Sequence, residues 1–105
     1  MTINLKFLDF TKSKDPDIKK IVADKTTFEI VMLFYKYELD KKEIVSADKF
    51  LDENQINASR SKKMAVIQNL EKDNIIKREV NEEDKRSKKI YINKEIKEKL
   101  KKILE

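Results

Sequence analysis

The first part of the chain places apolar residues at spacings typical of secondary structure. Residues 2–12 fit strand alternation and helix spacing equally well, and we favour a helix there. Asp15 precedes Pro16, which is typical of a helix start: Asp accepts hydrogen bonds from the free amides, and Pro loses no bond at the first helical position. We therefore predict a helix over about 15–24.

The longest apolar stripe of the chain follows. Thr26 and Glu29 have the spacing of a capping box, the side-chain pair that often begins a helix. A wide apolar face behind them predicts the central core helix over about 27–39. After a polar run, residues 44–45 are the β-branched pair Ile-Val, which predicts a very short strand.

The middle of the chain predicts a helix-turn-helix. Ser46 can cap a short helix that ends near Glu53. Residues 54–57 are turn-prone and precede a second helix over about 58–73, and two helices joined by a short turn form this motif. The chain has no glycine, so we expect Asn74 to adopt the positive φ that ends the second helix.

A β-hairpin and a last helix are predicted beyond this motif. Residues 75–79 and 89–93 are β-prone and flank the charged loop 80–88, which predicts a hairpin with a basic tip. Residues 94–105 have the pattern of a charged helix with one narrow apolar seam. The residues of this seam are Ile96, Leu100, Ile103 and Leu104.

The charge of the chain is unevenly distributed. Residues 1–53 carry 10 basic and 11 acidic side chains, whereas residues 54–105 carry 15 basic and 9 acidic ones. The net charge of the whole chain is +5. The basic second half predicts an anionic partner.

Cysteine and histidine are both absent from the chain. Disulfides and thiolate metal sites are thereby excluded, and the commonest metal ligand and general base is missing. The paired carboxylates Glu82 and Glu83 lie in a solvated loop, so we expect neither enzymatic activity nor a cofactor. Any regulatory signal would have to be a small ligand, a protein partner or the concentration of the protein itself.

The chain has no segment that suggests a membrane or an export pathway. Its apolar runs are far shorter than the roughly 20 residues that a membrane span needs. The N-terminus lacks the basic, then apolar, then small-residue order of a signal peptide. We therefore expect no membrane partner and a cytoplasmic location, at the nucleoid.

Two motifs connect the chain with a known family. Residues 70–72, Leu-Glu-Lys, end the second helix of the helix-turn-helix, and the apolar pair 75–76 follows it. Residues 84–86, Asp-Lys-Arg, precede the second β-prone segment. In these features, strongest over residues 64–93, the chain resembles the MarR family of winged helix-turn-helix transcriptional regulators and is closest to its small SarA-like branch.

This resemblance implies roles for residues of the wing, as the hairpin is called in such proteins. It implies that Asp84 braces the wing by ion pairing and that Arg86 enters the minor groove of DNA. The SarA-like branch usually has an acidic residue where this chain has Lys85, and a basic residue there would strengthen the attraction to phosphate. Lys88, in the same basic wing, is a further candidate DNA contact.

The helix over about 58–73 is the expected recognition helix. A major groove admits one α-helix, and side chains near its N-terminus reach the base edges. Arg60 can hydrogen-bond a guanine in bidentate fashion, Lys62 and Lys63 can anchor phosphates, and Gln68 can reach an adenine farther along. The candidate contacts on this helix are Ser59, Arg60, Ser61, Lys62, Lys63 and Gln68.

The order of elements predicts a mainly α fold with a small β-hairpin wing, of the α+β class: a dimeric winged helix-turn-helix. We expect a single domain over 1–105, with the DNA-binding core at 26–93. Segments 1–25 and 94–105 are expected to form a homodimer, because a two-fold dimer reads two half-sites of double-stranded DNA. The alternative for the last helix is that it folds back and covers its own subunit.

The expected function is sequence-specific transcriptional regulation, and two other interpretations stay open. Small winged-helix dimers also serve as DNA-binding adaptors in plasmid or phage partition and replication. A winged helix can also be a protein-interaction module whose basic surface binds an acidic partner. Iterated binding sites beside a motor gene would favour the partition role.

Overall fold

The computed structural model of the chain describes residues 8–80 and 88–104. A first helix, α1, includes residues 8–12, and residues 2–7 of the segment where we favoured a helix lie outside the described residues. The described part is mainly helical with a small two-stranded antiparallel hairpin, as the sequence predicts. The further elements are α2 (Pro16–Val22), α3 (Lys25–Leu39), α4 (Ala47–Glu53), α5 (Arg60–Lys72), β1 (Ile76–Val80), β2 (Lys88–Ile92) and α6 (Lys94–Leu104).

Helix α2 begins as the sequence predicts. The Asp15 carboxylate accepts hydrogen bonds from the backbone N–H groups of Asp17 at 2.9 Å and Ile18 at 3.2 Å, and Pro16 occupies the first turn. Ile18 and Ile21 are buried, so the apolar face of this short helix packs on the core. The helix ends two residues before its predicted end.

Helix α3 is capped by Asp24, and the predicted capping box of Thr26 and Glu29 is wrong. The Asp24 carboxylate accepts hydrogen bonds from the Thr27 N–H at 3.0 Å and from the Thr27 hydroxyl at 2.9 Å. A carboxylate accepts stronger, charge-assisted hydrogen bonds than a hydroxyl does. The helix therefore begins at Lys25, which leaves Thr26 inside its first turn.

Serine hydroxyls cap both α4 and α5. Ser46 Oγ accepts a hydrogen bond from the Lys49 N–H at 3.3 Å, and α4 then ends where the sequence predicts. Ser59 Oγ accepts one from the Lys62 N–H at 3.1 Å. Because Ser59 is the cap, α5 begins at Arg60, two residues later than predicted.

Helices α3 and α5 are each followed by a residue with positive φ, two positions after their last residue. Asn74 has a φ of 60°, as predicted, and the following Ile75 N–H donates to the Leu70 carbonyl at 2.9 Å. This is the hydrogen bond of a Schellman motif, which satisfies a carbonyl at the helix end. Helix α3 ends in the same way at Lys41, where φ is 55°. The sequence does not indicate this second site, because lysine has no preference for the left-handed region.

The hairpin packs one face on the core. Ile76 lies opposite Ile92, and Arg78 lies opposite Ile90, on the inner face of the sheet. The Ile90 N–H donates to the Ile44 carbonyl at 2.7 Å. The short strand predicted at 44–45 is therefore a single bridge that Ile44 makes to β2.

Aromatic rings fill the centre of the core around α3. The Phe34 ring lies 4.7 Å from the Phe50 ring of α4, measured between centroids, and Tyr37 meets Phe50 edge to face at 5.3 Å. Phe10 of α1 meets Phe28 edge to face at 5.4 Å. Edge-to-face pairs stabilise a fold beyond the area that they bury. They join α1 and α4 to the central helix.

Helix α6 covers its own subunit with the first half of its apolar seam. Ile96 is 3% exposed and Leu100 is 0% exposed within the single chain, whereas Ile103 and Leu104 are partly buried. Lys97 Nζ donates to Glu38 of α3 at 3.2 Å on the same side. The seam thus folds back on its own chain, the alternative to the favoured pairing across a dimer, because the core offers Ile96 and Leu100 an apolar surface.

Candidate nucleic-acid interface

One face of α5 fixes its orientation in the fold. Val66, Ile67 and Leu70 are buried, and the helix contacts α3, α4 and β1. Successive residues of an α-helix are rotated by about 100°, so the residues opposite this buried face form a stripe along the outside. This outward stripe consists of Ser61, Ala65, Gln68 and Lys72, all of which are exposed.

The outward stripe includes two of the predicted contacts and two residues that the sequence reasoning missed. Ser61 and Gln68 were candidates, whereas Ala65 and Lys72 were not. The helical period of the sequence could have identified Ala65 and Lys72. Positions 65 and 72 lie opposite the buried positions of the predicted helix.

Arg60 is exposed, and its guanidinium reaches back to α4. Its guanidinium donates to Asp48 at 2.7 Å and to Asp52 at 2.9 Å, with one nitrogen for each carboxylate. The hydrogen bond to Asp52, together with that to Asp48, raises the pKa of the Arg60 guanidinium above its ordinary value. The predicted guanine reader is thus held by two carboxylates of the preceding helix.

Lys62 lies beside the outward stripe and makes an ion pair with the cap of α3. Its Nζ lies 3.3 Å from Asp24 Oδ1, and both side chains are substantially exposed. The backbone and hydroxyl hydrogen bonds from Thr27, with a smaller contribution from Lys62, lower the pKa of Asp24 below its ordinary value. Exposed pairs of this kind are weak and are screened by salt, so the ammonium group can exchange Asp24 for a phosphate.

Ser59 and Lys63 lie near the N-terminal end of α5. The Ser59 hydroxyl accepts the Lys62 N–H as the cap of α5. Lys63 is half-buried and lines a shallow cleft with the turn residues Asn54 and Asn57. Both residues lie near the turn between α4 and α5.

The hairpin is tied to α5 by one ion pair. Arg78 Nε of β1 donates to Glu71 Oε2 at 2.8 Å, and Arg78 is 27% exposed. Glu71 is the one acidic residue of α5, so this bond neutralises the only carboxylate on that helix. On the outer face of the hairpin, Lys77 lies opposite Tyr91.

The predicted wing residues fall largely outside the described part of the chain. Asp84, Lys85 and Arg86 lie between residues 80 and 88, outside the described residues. Lys88 begins β2, where its backbone pairs with Val80, and its side chain is not among those described. The assigned roles of these four residues stay predictions.

Comparisons with known proteins assign no family to the chain. No protein-family model matches it, and no curated protein matches it either. Within residues 8–80 and 88–104, no group of carboxylates is arranged to hold a metal ion. None of the described helices has the length and apolar character needed to cross a bilayer. What the interface binds is therefore inferred from its own residues.

Proposed function

We propose that the chain is a winged helix-turn-helix transcriptional regulator of the MarR type that binds double-stranded DNA. In this proposal α5 enters the major groove, and the hairpin lies against the neighbouring minor groove. The observation that carries the proposal is the outward stripe of α5. Its four residues are all exposed, none of them is acidic, and the stripe ends on the cation Lys72.

The dimensions of α5 suit this role. Its 13 residues span about 20 Å, and a major groove about 12 Å wide admits one helix. The N-terminal amides of α5 and the helix dipole favour a phosphate near Ser61. Lys72 adds a cation at the C-terminal end of the stripe, and Lys62 adds one beside its N-terminal end. A face with Lys72 at one end of the stripe and Lys62 beside the other end fits a groove whose two edges are rows of phosphates.

The proposed wing contact depends on the Asp84-Lys85-Arg86 motif. The strands that flank it pair from Ile76 opposite Ile92 to Val80 opposite Lys88, and β1 is bound to α5 through Arg78 and Glu71. Arg86 is proposed to enter the minor groove, because a narrow minor groove attracts arginine electrostatically. Replacing Arg86 by Ala should weaken operator binding without unfolding the protein. Unchanged affinity in a fluorescence titration would remove the wing from the proposal.

We also propose that the protein acts as a homodimer in the cytoplasm, at the nucleoid. A two-fold dimer places two α5 helices one helical turn of DNA apart, about 34–36 Å. The terminal helices are the proposed pairing elements: Leu8 of α1 is 46% exposed, and Ile103 near the end of α6 is only partly buried. Sedimentation equilibrium should give the mass of two chains. A single-chain mass at micromolar protein would contradict this part of the proposal.

The decisive experiment is selection of bound fragments from the genome that encodes the protein. Enrichment of one or a few promoter palindromes would support a transcriptional regulator. Clustered tandem repeats would favour partition or replication, and no enrichment would favour a protein-interaction module.

The salt dependence of DNA binding tests the electrostatic part of the proposal. Each phosphate that the protein neutralises contributes about 0.9 to the slope of log affinity against log salt. We expect Lys72→Ala to reduce this slope, and Lys101→Ala, on an exposed position of α6, to leave it unchanged. A nearly flat slope for the wild-type protein would contradict DNA binding through phosphate contacts.

A further inference from the structure

The position of Arg60 on α5 argues against a base-reading role. Asp48 and Asp52 hold both terminal nitrogens of its guanidinium on the side of α5 that faces α4. These pairs are exposed like that of Lys62, but Lys62 makes one contact at 3.3 Å, whereas Arg60 would have to give up two shorter hydrogen bonds, at 2.7 and 2.9 Å, to read a guanine. Arg60 is placed to hold α4 and α5 together.

Gln68 is placed to meet a base edge. It lies on the outward stripe, opposite the buried residues Val66 and Leu70, and its side chain is exposed. Within the part of the chain that the structure describes, no hydrogen-bond partner occupies its amide group. The glutamine amide has an N–H that can donate to adenine N7 and a carbonyl oxygen that can accept from the N6 amino group in the major groove.

Ala65 and Gln68 are neighbours on the outward stripe. Residues three apart on a helix have Cβ atoms about 5–6 Å apart, whereas successive base pairs are about 3.4 Å apart. The two side chains therefore face adjacent or next-adjacent base pairs. A small alanine lets the helix approach the bases closely, and its methyl group complements the C5-methyl of thymine.

From this arrangement we propose that Gln68 is the specificity-determining residue of the interface and reads an adenine, with Ala65 against a thymine methyl one or two base pairs away. Arg60 is a positioning residue that holds α5 against α4. The preferred half-site thus has A·T pairs under the middle of α5. This inference rests on the proposed DNA binding and adds which residue reads which base.

The test uses base analogues in the duplex selected by the wild-type protein. Changing the single adenine read by Gln68 to 7-deazaadenine removes the N7 acceptor and leaves its Watson–Crick pairing intact. We expect the wild-type protein to lose affinity at one adenine of each half-site. A full bidentate contact discriminates by about 5- to 150-fold, and loss of one of its two bonds should give the lower part of that range.

Gln68→Ala should show no response to 7-deazaadenine at that position and should keep its other base preferences. Gln68→Glu should shift the preference there from adenine to cytosine, because a carboxylate accepts from the cytosine N4 amino group.

Replacing the thymine that faces Ala65 by uracil removes its C5-methyl group. It should weaken wild-type binding by about fourfold, the value expected for one buried methylene-sized group. Lys72→Ala is the matched control and should weaken binding to every duplex equally.

Arg60 is tested separately, because Arg60→Ala can destabilise the contact of α4 with α5. The double variant Asp48→Asn/Asp52→Asn removes the same ion pairs and leaves the guanidinium in place. If Arg60 is a positioning residue, both variants lower the unfolding midpoint, and neither changes the base preference at any position. Loss of a guanine preference in Arg60→Ala alone would overturn this assignment.

The outcomes separate this inference from the proposed function. If the wild-type protein binds a selected duplex but 7-deazaadenine has no effect, or has the same effect on Gln68→Ala, the role of Gln68 is overturned and DNA binding stands. If the wild-type protein binds no duplex even at low salt, the proposed function fails and this inference fails with it.

Discussion

Lys99 Nζ lies 2.9 Å from Asp15 Oδ2, a contact that joins the last helix of the chain to the cap of α2. Asp15 therefore has two roles. One of its oxygens accepts the backbone N–H groups of Asp17 and Ile18, and the other pairs with a cation about 84 residues later in the chain. The same lysine also contacts Asp17 at 3.1 Å. Local capping and the docking of α6 thus depend on the same carboxylate.

Acid should weaken the fold through this carboxylate and Asp24. The hydrogen bond from Lys99, together with those from the backbone of α2, lowers the pKa of Asp15. The hydrogen bonds from Thr27 do the same for Asp24. A group whose pKa is lower in the folded state stabilises the fold above its unfolded pKa, about 4 for aspartate. That contribution is lost as the pH falls through the folded pKa.

We therefore expect the urea midpoint to fall as the pH is lowered below about 4, and Asp15→Asn/Asp24→Asn to show a smaller fall. Asparagine keeps an oxygen that can cap a helix but has no proton to gain in this range. At neutral pH the double variant should be less stable than the wild type. If it lost as much stability on acidification as the wild type, these two carboxylates would not be the groups that titrate.

The cap of α3 provides a second prediction with a matched control two residues away. Asp24→Ala should destabilise the protein by about 0.5–2 kcal/mol, because it leaves the Thr27 N–H without its cap. Thr26→Ala should change the free energy of unfolding by no more than a few tenths of a kcal/mol, since Thr26 is not the cap. Asp24→Ser, which can still cap, should recover most of the loss. Urea unfolding measures the stability of all three variants. A larger loss for Thr26→Ala than for Asp24→Ala would support the capping box that the sequence suggested.

Local capping chemistry made much of the helical framework predictable. Three residues follow local rules and have the predicted roles. Asp15 and Ser46 cap the starts of α2 and α4, and Asn74 adopts the positive φ that follows α5. The cap of α3 was predicted wrongly because two capping residues lie within one turn. Spacing alone does not rank a carboxylate against a hydroxyl.

The candidate site was less predictable than the fold, for a different reason. The sequence identified α5 as a basic helix, but the partners of Arg60 lie 8 and 12 residues earlier, on another helix. Local pattern contains no information on which cations are neutralised by distant carboxylates. The same holds for α6. Its seam predicts that one face is buried, and only tertiary packing decides that Leu100 packs on its own chain.

Lys41 offers a route to a more stable protein. It has a φ of 55°, a conformation that costs a residue with a Cβ about 1–2 kcal/mol and costs glycine little. Glycine also raises the entropy of the unfolded chain, which offsets part of this gain. Lys41→Gly should therefore raise the free energy of unfolding by up to about 1 kcal/mol. Lys42→Gly, at the next position, is the control and should not stabilise. A lower thermal midpoint for Lys41→Gly would contradict the strain at this site.

Leu100→Ala tests whether α6 belongs to the core of its own subunit. Leu100 is 0% exposed within one chain, and truncation of a fully buried leucine costs about 2–5 kcal/mol through lost burial and the cavity that remains. Lys101→Ala, one residue along and exposed, should change stability by less than about 0.5 kcal/mol. If α6 packs on its own chain, Leu100→Ala should lower the urea midpoint by the same amount at low and at high protein concentration. A loss that disappears on dilution would instead mean that Leu100 is buried only by pairing with a second copy, because only an intermolecular contact depends on concentration.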